Sequence, residues 1–145
     1  MTDSPSNRDA TEPDCLFCQI ASGRLPAKLI WSDDQAVAFL DINPWHRGHS
    51  LVIPRRHLGD GAASPQAWHE VAAGLTAVAE RMKNHLGASG INYLSNAGAA
   101  AGQEVFHFHV HVIPRYDDQP GMARLMSRDP AAAQDLDALA ASLAD

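Results

Sequence analysis

Three histidines occupy alternate positions in one apolar segment, QEVFHFHVHVIPRY, which covers residues 103–116. If this segment is a β-strand, its side chains alternate between two faces, so His107, His109 and His111 share one face. Neighbouring rings would then lie about 6.6–7 Å apart along the strand, too far for all three to hydrogen-bond a single atom. The spacing therefore predicts that the three imidazoles have different partners.

Three interpretations fit this pattern. The segment could be an ordinary half-buried strand, or two of its histidines could be ligands of a catalytic zinc. A third interpretation is phosphoryl transfer, because a neutral imidazole is a competent nucleophile near neutral pH. The preceding loop favours the third. Its Gly98 and Gly102 allow backbone N–H groups to approach phosphate oxygens closely, and Asn96 and Gln103 add neutral side-chain donors.

Two blocks of the chain together resemble the histidine triad (HIT) superfamily, in its bacterial Hint-like branch. HFHVHVIP fits the pattern His-x-His-x-His with apolar residues between and after, and AFLDINPWHRGHSLVIPRRH resembles the upstream block of that family. The resemblance implies a hydrolase or transferase that cleaves at the α-phosphate of nucleoside phosphoramidates or related nucleotide conjugates. It implies a covalent nucleotidyl-histidine intermediate and no catalytic cofactor. Dinucleoside polyphosphate hydrolysis, or nucleotide binding with incidental catalysis, are the alternatives.

The resemblance also implies roles for individual residues. His109 corresponds to the nucleophile, and His111 and His49 correspond to histidines that contact phosphate or assist proton transfer. Asp41 corresponds to the residue that binds the ribose, a role suited to a carboxylate because two hydroxyls can donate to its two oxygens. A turn-capping role is the alternative for Asp41. The other implied contacts are a phosphate set (Asn96, Gly102, Gln103, Glu104 and Val105) and an apolar base pocket (Phe17, Ile20, Leu25, Phe39 and Ile42).

Two features leave the substrate open. Glu104 stands where Hint-like proteins often carry a small hydroxyl residue, and its carboxylate would either repel an anionic leaving group or turn outward. The apolar pocket would hold a purine by stacking but would distinguish bases poorly. The expected ligand is therefore a purine nucleotide or nucleotide conjugate, without a defined leaving group.

Cys15 and Cys18, the two cysteines of the chain, form a CxxC pair near its start. The pair supplies two soft ligands, and His57 with His107 could complete a Cys2His2 zinc site, an arrangement that several bacterial members of the family resemble. A redox pair lacks the expected βαβ context, and simple burial is the other alternative. Zinc here would be structural and would brace an N-terminal helix against the histidine strand.

The surrounding sequence predicts the elements that hold these residues. KLIWSD, QAVAFLD, HSLVIPR and INYLSN read as strands that accompany the histidine segment. Ser64 and Gly87 bound a long helix whose buried stripe comprises Trp68, Val71, Leu75, Val78 and Met82. The fold class is α+β: a HIT-like fold with a mainly antiparallel five-stranded sheet, the long central helix, a short N-terminal helix and a C-terminal helix marked by Leu136, Leu139 and Leu143.

Composition limits the partners and the organisation. With 145 residues and a formal net charge of -6, one domain is expected and nucleic-acid binding is not. No apolar run could span a membrane, and the start of the chain lacks a secretory signal, so no membrane partner and a cytoplasmic location are expected. We expect a disordered tail over residues 1–13 and a single domain over 14–145, with 117–145 a variable extension. The family resemblance implies a homodimer, and His46, Arg56 and Arg115 are expected at the surface.

Overall fold

The computed structural model describes residues 12–144. The predicted tail therefore lies outside the described residues, apart from its last two positions, and so does Asp145. Three short 3-10 turns and eight longer elements follow one another along the described chain. The longer elements are α1 (Leu16–Ala21), β1 (Leu29–Ser32), β2 (Ala36–Leu40), β3 (Ser50–Pro54), α2 (Pro65–Leu86), β4 (Gly90–Leu94), β5 (Val110–Arg115) and α3 (Leu136–Leu143).

The five strands form one sheet in the order β1-β2-β3-β5-β4, with every neighbouring pair antiparallel. This arrangement confirms the predicted antiparallel sheet. It places β5 between β3 and β4, so that His111 lies opposite Leu51 of β3 and Leu94 of β4. The histidine segment is therefore held inside the sheet rather than at its edge.

The regular strand begins later than the sequence predicts. The prediction includes His107 and His109, but β5 starts at Val110. The Phe108 N–H donates to the carbonyl of Leu58, a loop residue, instead of entering the ladder. His107 therefore lies in a bend before the strand, and neither His107 nor His109 takes part in strand pairing.

The two faces of the sheet carry separate apolar clusters. α2 and α3 cover one face, where Phe108, Val110 and Val112 point into the main core as their alternation predicts. The opposite face carries α1 and a smaller cluster that includes Phe17, Phe39 and Leu51. His111 alternates with Val110 and Val112 along β5, so it lies on the α1 side of the sheet.

The long helix begins and ends where the sequence predicts. The Ser64 hydroxyl accepts a hydrogen bond from the Gln66 N–H, and Pro65 occupies the first helical position. Gly87 ends the helix in the left-handed conformation, at φ +72°. Local capping chemistry explains both boundaries.

One residue of the predicted helix stripe differs. Val71, Val78 and Met82 are fully buried, but Trp68 is 43% exposed. Its indole packs edge-on against Phe108 and donates to the carbonyl of Gly61. Trp68 therefore closes the rim of the core, where its ring is sheltered and its N–H still finds an acceptor.

The C-terminal helix is part of the main core. Leu139 and Leu143 are buried there, as predicted. Arg81 of α2 donates to the carbonyl of Ile30 in β1 and to that of Leu143 at the end of α3. Packing and hydrogen bonding thus tie α3 to the first strand and the long helix.

The surface predictions for three residues are wrong. His46 is only 4% exposed, and its Nε2–H donates to the carbonyl of Arg124 over 2.9 Å. Arg56 is buried in an ion pair with Glu70, with Nε 2.7 Å from the carboxylate oxygen. Arg115 is buried and donates to the Asn92 side chain and to two loop carbonyls, of Gln119 and Gly121. Within residues 12–144, no helix combines the length and apolarity needed to cross a membrane.

Candidate active site and metal-binding cluster

The candidate active site lies where β3 and β5 run side by side. His49 immediately precedes β3, and its Nε2 lies 2.9 Å from Nδ1 of His111 in β5. The backbone N–H of Trp45 donates to His49 Nδ1 over 3.0 Å. Since Nδ1 is then the acceptor, neutral His49 carries its proton on Nε2 and donates it to His111 Nδ1. His111 therefore carries its own proton on Nε2, where it is available as a donor.

His109 has the opposite tautomer. Its Nδ1 lies 2.8 Å from the backbone carbonyl oxygen of His107, so Nδ1–H donates to that oxygen. Its Nε2 therefore carries the lone pair. The ring is held edge-on by Phe17 at 5.1 Å and by His111 at 5.2 Å between centroids. A nucleophilic nitrogen thus stands beside a ring that presents an N–H donor.

Burial keeps these imidazoles neutral. It lowers the pKa of His49 to about 3, with a smaller contribution from His46. It also lowers the pKa of His111 to about 3, helped by the neighbouring His49 and His109 and opposed by Asp41. Burial lowers the pKa of His109 as well, against the bond to the His107 carbonyl and the charge of Asp41. All three rings are therefore uncharged at neutral pH.

Asp41 directly follows β2 and lies beside the histidine pair. Its Oδ1 accepts the Asn43 N–H over 2.8 Å, which is the predicted turn-capping alternative. Its Oδ2 lies 3.7 Å from His49 Nε2, and its own N–H donates to the His49 carbonyl. The hydrogen bond from Asn43 occupies Oδ1 of Asp41 and directs Oδ2 toward the histidine pair.

The loop before the histidines is braced by Gln103. The carboxamide nitrogen of Gln103 donates to the carbonyls of Gly59 and Val105, and its oxygen accepts the Gly98 N–H. The Gln103 backbone N–H donates to the Gly98 carbonyl. Both amide hydrogens are thus used within the protein, and the role of Gln103 as a phosphate donor stays a prediction. Its structural effect is to fix the loop shape.

The other predicted phosphate residues surround that brace. Gly102 has φ +100°, a conformation that favours glycine, and the Asn96 carboxamide nitrogen lies 3.4 Å from where a Cβ would stand on it. Glu104 is exposed, and Val105 packs against the α1-side cluster. Ser95 was not predicted from the sequence, yet its hydroxyl donates to the His109 carbonyl over 2.7 Å. Only its position next to Asn96 could have indicated it.

Most of the predicted base-pocket residues form one apolar cluster. Phe17, Ile20 and Phe39 are buried on the α1 side of the sheet, and Leu25 packs against them. Ile42 is separate from this cluster and 67% exposed, because the turn that Asp41 caps directs it outward. The structure therefore offers an apolar wall next to His109 without Ile42.

The second cluster comprises Cys15, Cys18, His57 and His107, whose ligand atoms all lie within 4.8 Å of one another. Cys15 caps α1, with its Sγ accepting the Cys18 N–H, so both thiols stand at the start of the helix. The Nε2–H of His107 donates to the carbonyl of Pro54 over 2.8 Å, which leaves Nδ1 as a bare ligand atom. This is the four-residue set that the sequence predicts.

The donor atoms in this cluster are spaced as a tetrahedral zinc site requires. Cys15 Sγ and Cys18 Sγ each lie 3.4 Å from His107 Nδ1, and Cys18 Sγ lies 3.4 Å from His57 Nδ1. Usual zinc–sulfur and zinc–nitrogen bonds at a tetrahedral angle place sulfur and nitrogen about 3.6 Å apart. Burial raises the pKa of the Cys18 thiol to about 11. A bound cation would favour its thiolate form, so the four residues fit zinc.

A second set, Asp41, His49 and His111, also has ligand atoms within 4.8 Å of one another. In this set, however, the lone pair of His111 Nδ1 already accepts a hydrogen bond from the Nε2–H of His49. The two groups are bonded to each other rather than directed at a common point. The arrangement of these three residues is that of a hydrogen-bonded pair beside a carboxylate.

The HIT domain family model matches residues 22–118. The "Protein hit" of Bacillus subtilis is 34% identical over 137 residues, which cover 90% of this chain and 92% of that protein. "Adenylylsulfatase HINT3" of Arabidopsis thaliana is 39% identical over 106 residues, which cover 70% of this chain and 52% of that protein. The crystal structure of a zinc-bound histidine triad family protein from Mycobacterium smegmatis has a TM-score of 0.73 and 38% identity, over 90% of this chain and 95% of that one.

These matches extend over most of the chain and agree with the antiparallel sheet and its helices. They confirm both the resemblance drawn from the two sequence blocks and the HIT-like fold. The chain belongs to the histidine triad (HIT) superfamily.

Proposed function

We propose that this protein is a nucleotidyl hydrolase or transferase that acts on nucleoside phosphoramidates or related nucleotide conjugates through His109. The observation that carries the proposal is the tautomer of His109. Its Nδ1–H is bonded to the His107 carbonyl, so Nε2 holds a lone pair, and the His111 ring, which carries its proton on Nε2, lies 5.2 Å away between centroids. A fixed nucleophile and a fixed donor on adjacent rings are what displacement at phosphorus requires.

The reaction proceeds in two displacements. His109 Nε2 attacks the α-phosphorus, the bond from phosphorus to the leaving group breaks, and the leaving group departs with the electron pair. An anionic phosphate next to His49 and His111 raises their pKa, so the pair takes up one proton from solvent when substrate binds. His111 delivers that proton to an amine leaving group. Water then attacks phosphorus and gives a proton back to the His49–His111 pair, the nitrogen–phosphorus bond breaks, and His109 regains its lone pair.

The remaining residues of the site bind the nucleotide. Asp41 would accept hydrogen bonds from the ribose hydroxyls through Oδ2, and the cluster around Phe17 would bury the base. The loop at Asn96 and Gly102 would supply phosphate contacts, with Gln103 holding its shape. The name of the Arabidopsis relative, an adenylylsulfatase, supports an adenylyl conjugate as the substrate class.

We also propose that Cys15, Cys18, His57 and His107 bind one structural zinc ion. The donor spacing supports this, as does the zinc-bound relative from Mycobacterium smegmatis. Zinc here would fasten the start of α1 to the segment before β5. Metal analysis of protein purified without chelator should find about one zinc per chain. A content near zero with both thiols freely titratable would contradict the proposal.

A homodimer joined through the sheets is the proposed assembly. β4, like β1, is an edge strand of the described sheet; it pairs with β5, and its Tyr93 is exposed. An unpaired strand edge is a ready surface for a second copy of the sheet. Light scattering of the purified protein should give twice the chain mass, and a monomer mass would contradict this assembly.

The enzymatic proposal is tested by a substrate panel with trapping of the intermediate. Adenosine phosphoramidate, adenylyl sulfate and diadenosine polyphosphates should be compared as substrates. Alkaline peptide mapping should find the nucleotidyl group on His109. His109→Gly should abolish turnover while nucleotide binding persists. Turnover retained in that variant, or activity lost with chelator and restored by added metal in a folded protein, would favour a different mechanism.

A further inference from the structure

Trp45 packs against the imidazole rings of His49 and His111, the pair that would deliver a proton to the leaving group. It lies in the loop between β2 and β3 and is half-buried. Its indole centroid lies 4.8 Å from that of His49 and 5.3 Å from that of His111, and it is nearly parallel to the His111 ring at 21°. One side chain therefore shields a face of each imidazole from solvent.

The main chain of Trp45 sets the direction of the hydrogen bond between those rings. Its N–H donates to His49 Nδ1, which places the His49 proton on Nε2 and the His111 proton on Nε2. If His49 adopted the other tautomer, its Nε2 would become an acceptor. His111 would then place its proton on Nδ1 and present a lone pair where the leaving group needs a donor.

The loop that carries Trp45 is held from the C-terminal side of the chain. The Tyr116 hydroxyl donates to the Arg47 carbonyl over 2.8 Å, and the Asp129 N–H donates to the Pro44 carbonyl over 3.3 Å. The His46 Nε2–H donates to the Arg124 carbonyl. These bonds act on the residue before Trp45 and on the two after it. The position of its amide is therefore determined by tertiary contacts.

We propose that Trp45 is a positioning residue, whose amide fixes the tautomers of His49 and His111 and whose indole excludes water from the pair. The catalytic consequence rests on the proposed function, but the tautomers are a property of the folded protein. The other titratable groups facing the pair are Asp41, His46 and His109. They remain in place when only the indole is changed.

The test uses full-length, zinc-loaded protein with 15N-labelled histidine and tryptophan. Wild type should show His49 and His111 as neutral Nε2–H tautomers at pH 6.5, with a through-hydrogen-bond coupling between the Trp45 amide and His49 Nδ1. Trp45→Phe keeps an aromatic ring and should preserve these signals. Trp45→Ala keeps the backbone amide, so it should preserve the tautomers, but without the indole the pair should be protonated at a pH at least one unit higher.

The matched control is Trp68→Phe, since Trp68 lies on the opposite side of the sheet, against Phe108. It should leave the ring signals unchanged. On an active substrate, Trp45→Ala should lower kcat about tenfold with little change in KM and move the acid limb of the pH profile upward. An unchanged protonation pH of the pair in a folded Trp45→Ala protein, or an Nδ1–H tautomer of His111 in wild type, would overturn the proposal. If no substrate is turned over, the proposed function fails while the ring signals still decide the role of Trp45.

Discussion

His107 and His109 are two residues apart on the same side of the sheet, yet they belong to clusters with different chemistry. In the cysteine cluster, the lone pair of His107 Nδ1 faces two sulfurs, because its Nε2–H is taken by the Pro54 carbonyl. In the catalytic cluster, the lone pair of His109 is on Nε2, because its Nδ1–H is taken by the His107 carbonyl. The acceptor of each imidazole proton, rather than the residue type, therefore decides which nitrogen is reactive.

Replacing His109 and His107 one at a time should distinguish their roles, and the loss of turnover at His109 is the greatest change that we predict. His109→Gly should lower turnover by at least about a thousandfold, the scale of losing a nucleophile, and leave the zinc content unchanged. His107→Gly should remove the zinc and lower turnover less, since its backbone carbonyl can still accept the His109 proton. Metal analysis and steady-state kinetics on both variants decide this. Equal turnover losses with equal metal contents would remove the distinction.

The catalytic pair should make the protein sensitive to acid. His49 and His111 have folded-state pKa values lowered to about 3, so the unfolded chain binds more protons than the folded one below its ordinary histidine pKa of about 6.5. The free energy of unfolding is therefore at its full value above about pH 6.5. It falls toward pH 3, at up to about 1.4 kcal/mol per pH unit for each histidine. Urea unfolding from pH 7.5 to 4.5 measures this.

The variant His111→Gln should reduce the slope of the unfolding free energy against pH by the contribution of one histidine. His69→Gln provides the matched control, because His69 is an exposed histidine on α2. It should leave the slope unchanged. An identical pH dependence in wild type and His111→Gln would show that the pair does not stay neutral on folding.

Loss of the Cys18 thiol should affect the cysteine cluster and leave the catalytic histidines unchanged. Cys18→Ser should remove the metal and, with free zinc at about 100 times its Kd, cost about 2.7 kcal/mol of stability. Chelated wild type and the variant should then unfold at nearly the same urea concentration. A variant that still binds one zinc per chain with unchanged stability would contradict the assignment of Cys18.

The last prediction concerns the stability of the turn that precedes β3 and positions His49. Gly48 has φ +91°, the His49 N–H donates to the His46 carbonyl, and a Cβ on Gly48 would stand 2.6 Å from Leu86 Cδ1. Gly48→Ala should cost about 1–3 kcal/mol through backbone strain and this contact. Gly23→Ala is the control, since its φ is also positive but no atom lies within 4 Å. Equal losses in the two variants would assign the cost to backbone strain alone.

Local patterns were enough to predict much of this molecule. The alternation at Phe108, Val110 and Val112, and the capping residues Ser64 and Gly87, depend on neighbours in sequence, so the sheet and the long helix could be predicted. The family blocks indicated His49, and the CxxC pair together with two histidines of those blocks indicated the cysteine cluster. The late start of β5 could not be predicted in this way, because the Phe108 N–H finds its acceptor in a distant loop.

The errors at His46 and Arg56 have the same origin, and the exposed position of Ile42 also depends on a feature beyond residue type. His46 is buried by residues far along the chain near Arg124, and Arg56 by Glu70 on the long helix. Ile42 lies outside the apolar cluster because a turn, rather than a strand, follows Asp41. Each outcome depends on a tertiary partner or a turn geometry that residue type alone does not specify.

The attachment of α3 bears on how this protein can be shortened or fused. The match to the family ends at residue 118, but Leu139 and Leu143 fill the main core, and Arg81 joins the last helix to the first strand. A version trimmed to the shared segment would expose that apolar surface and remove the bonds of Arg124 and Asp129 to the loop around Trp45. A reporter or tag is better joined beyond Leu143, where the core contacts of α3 stay complete.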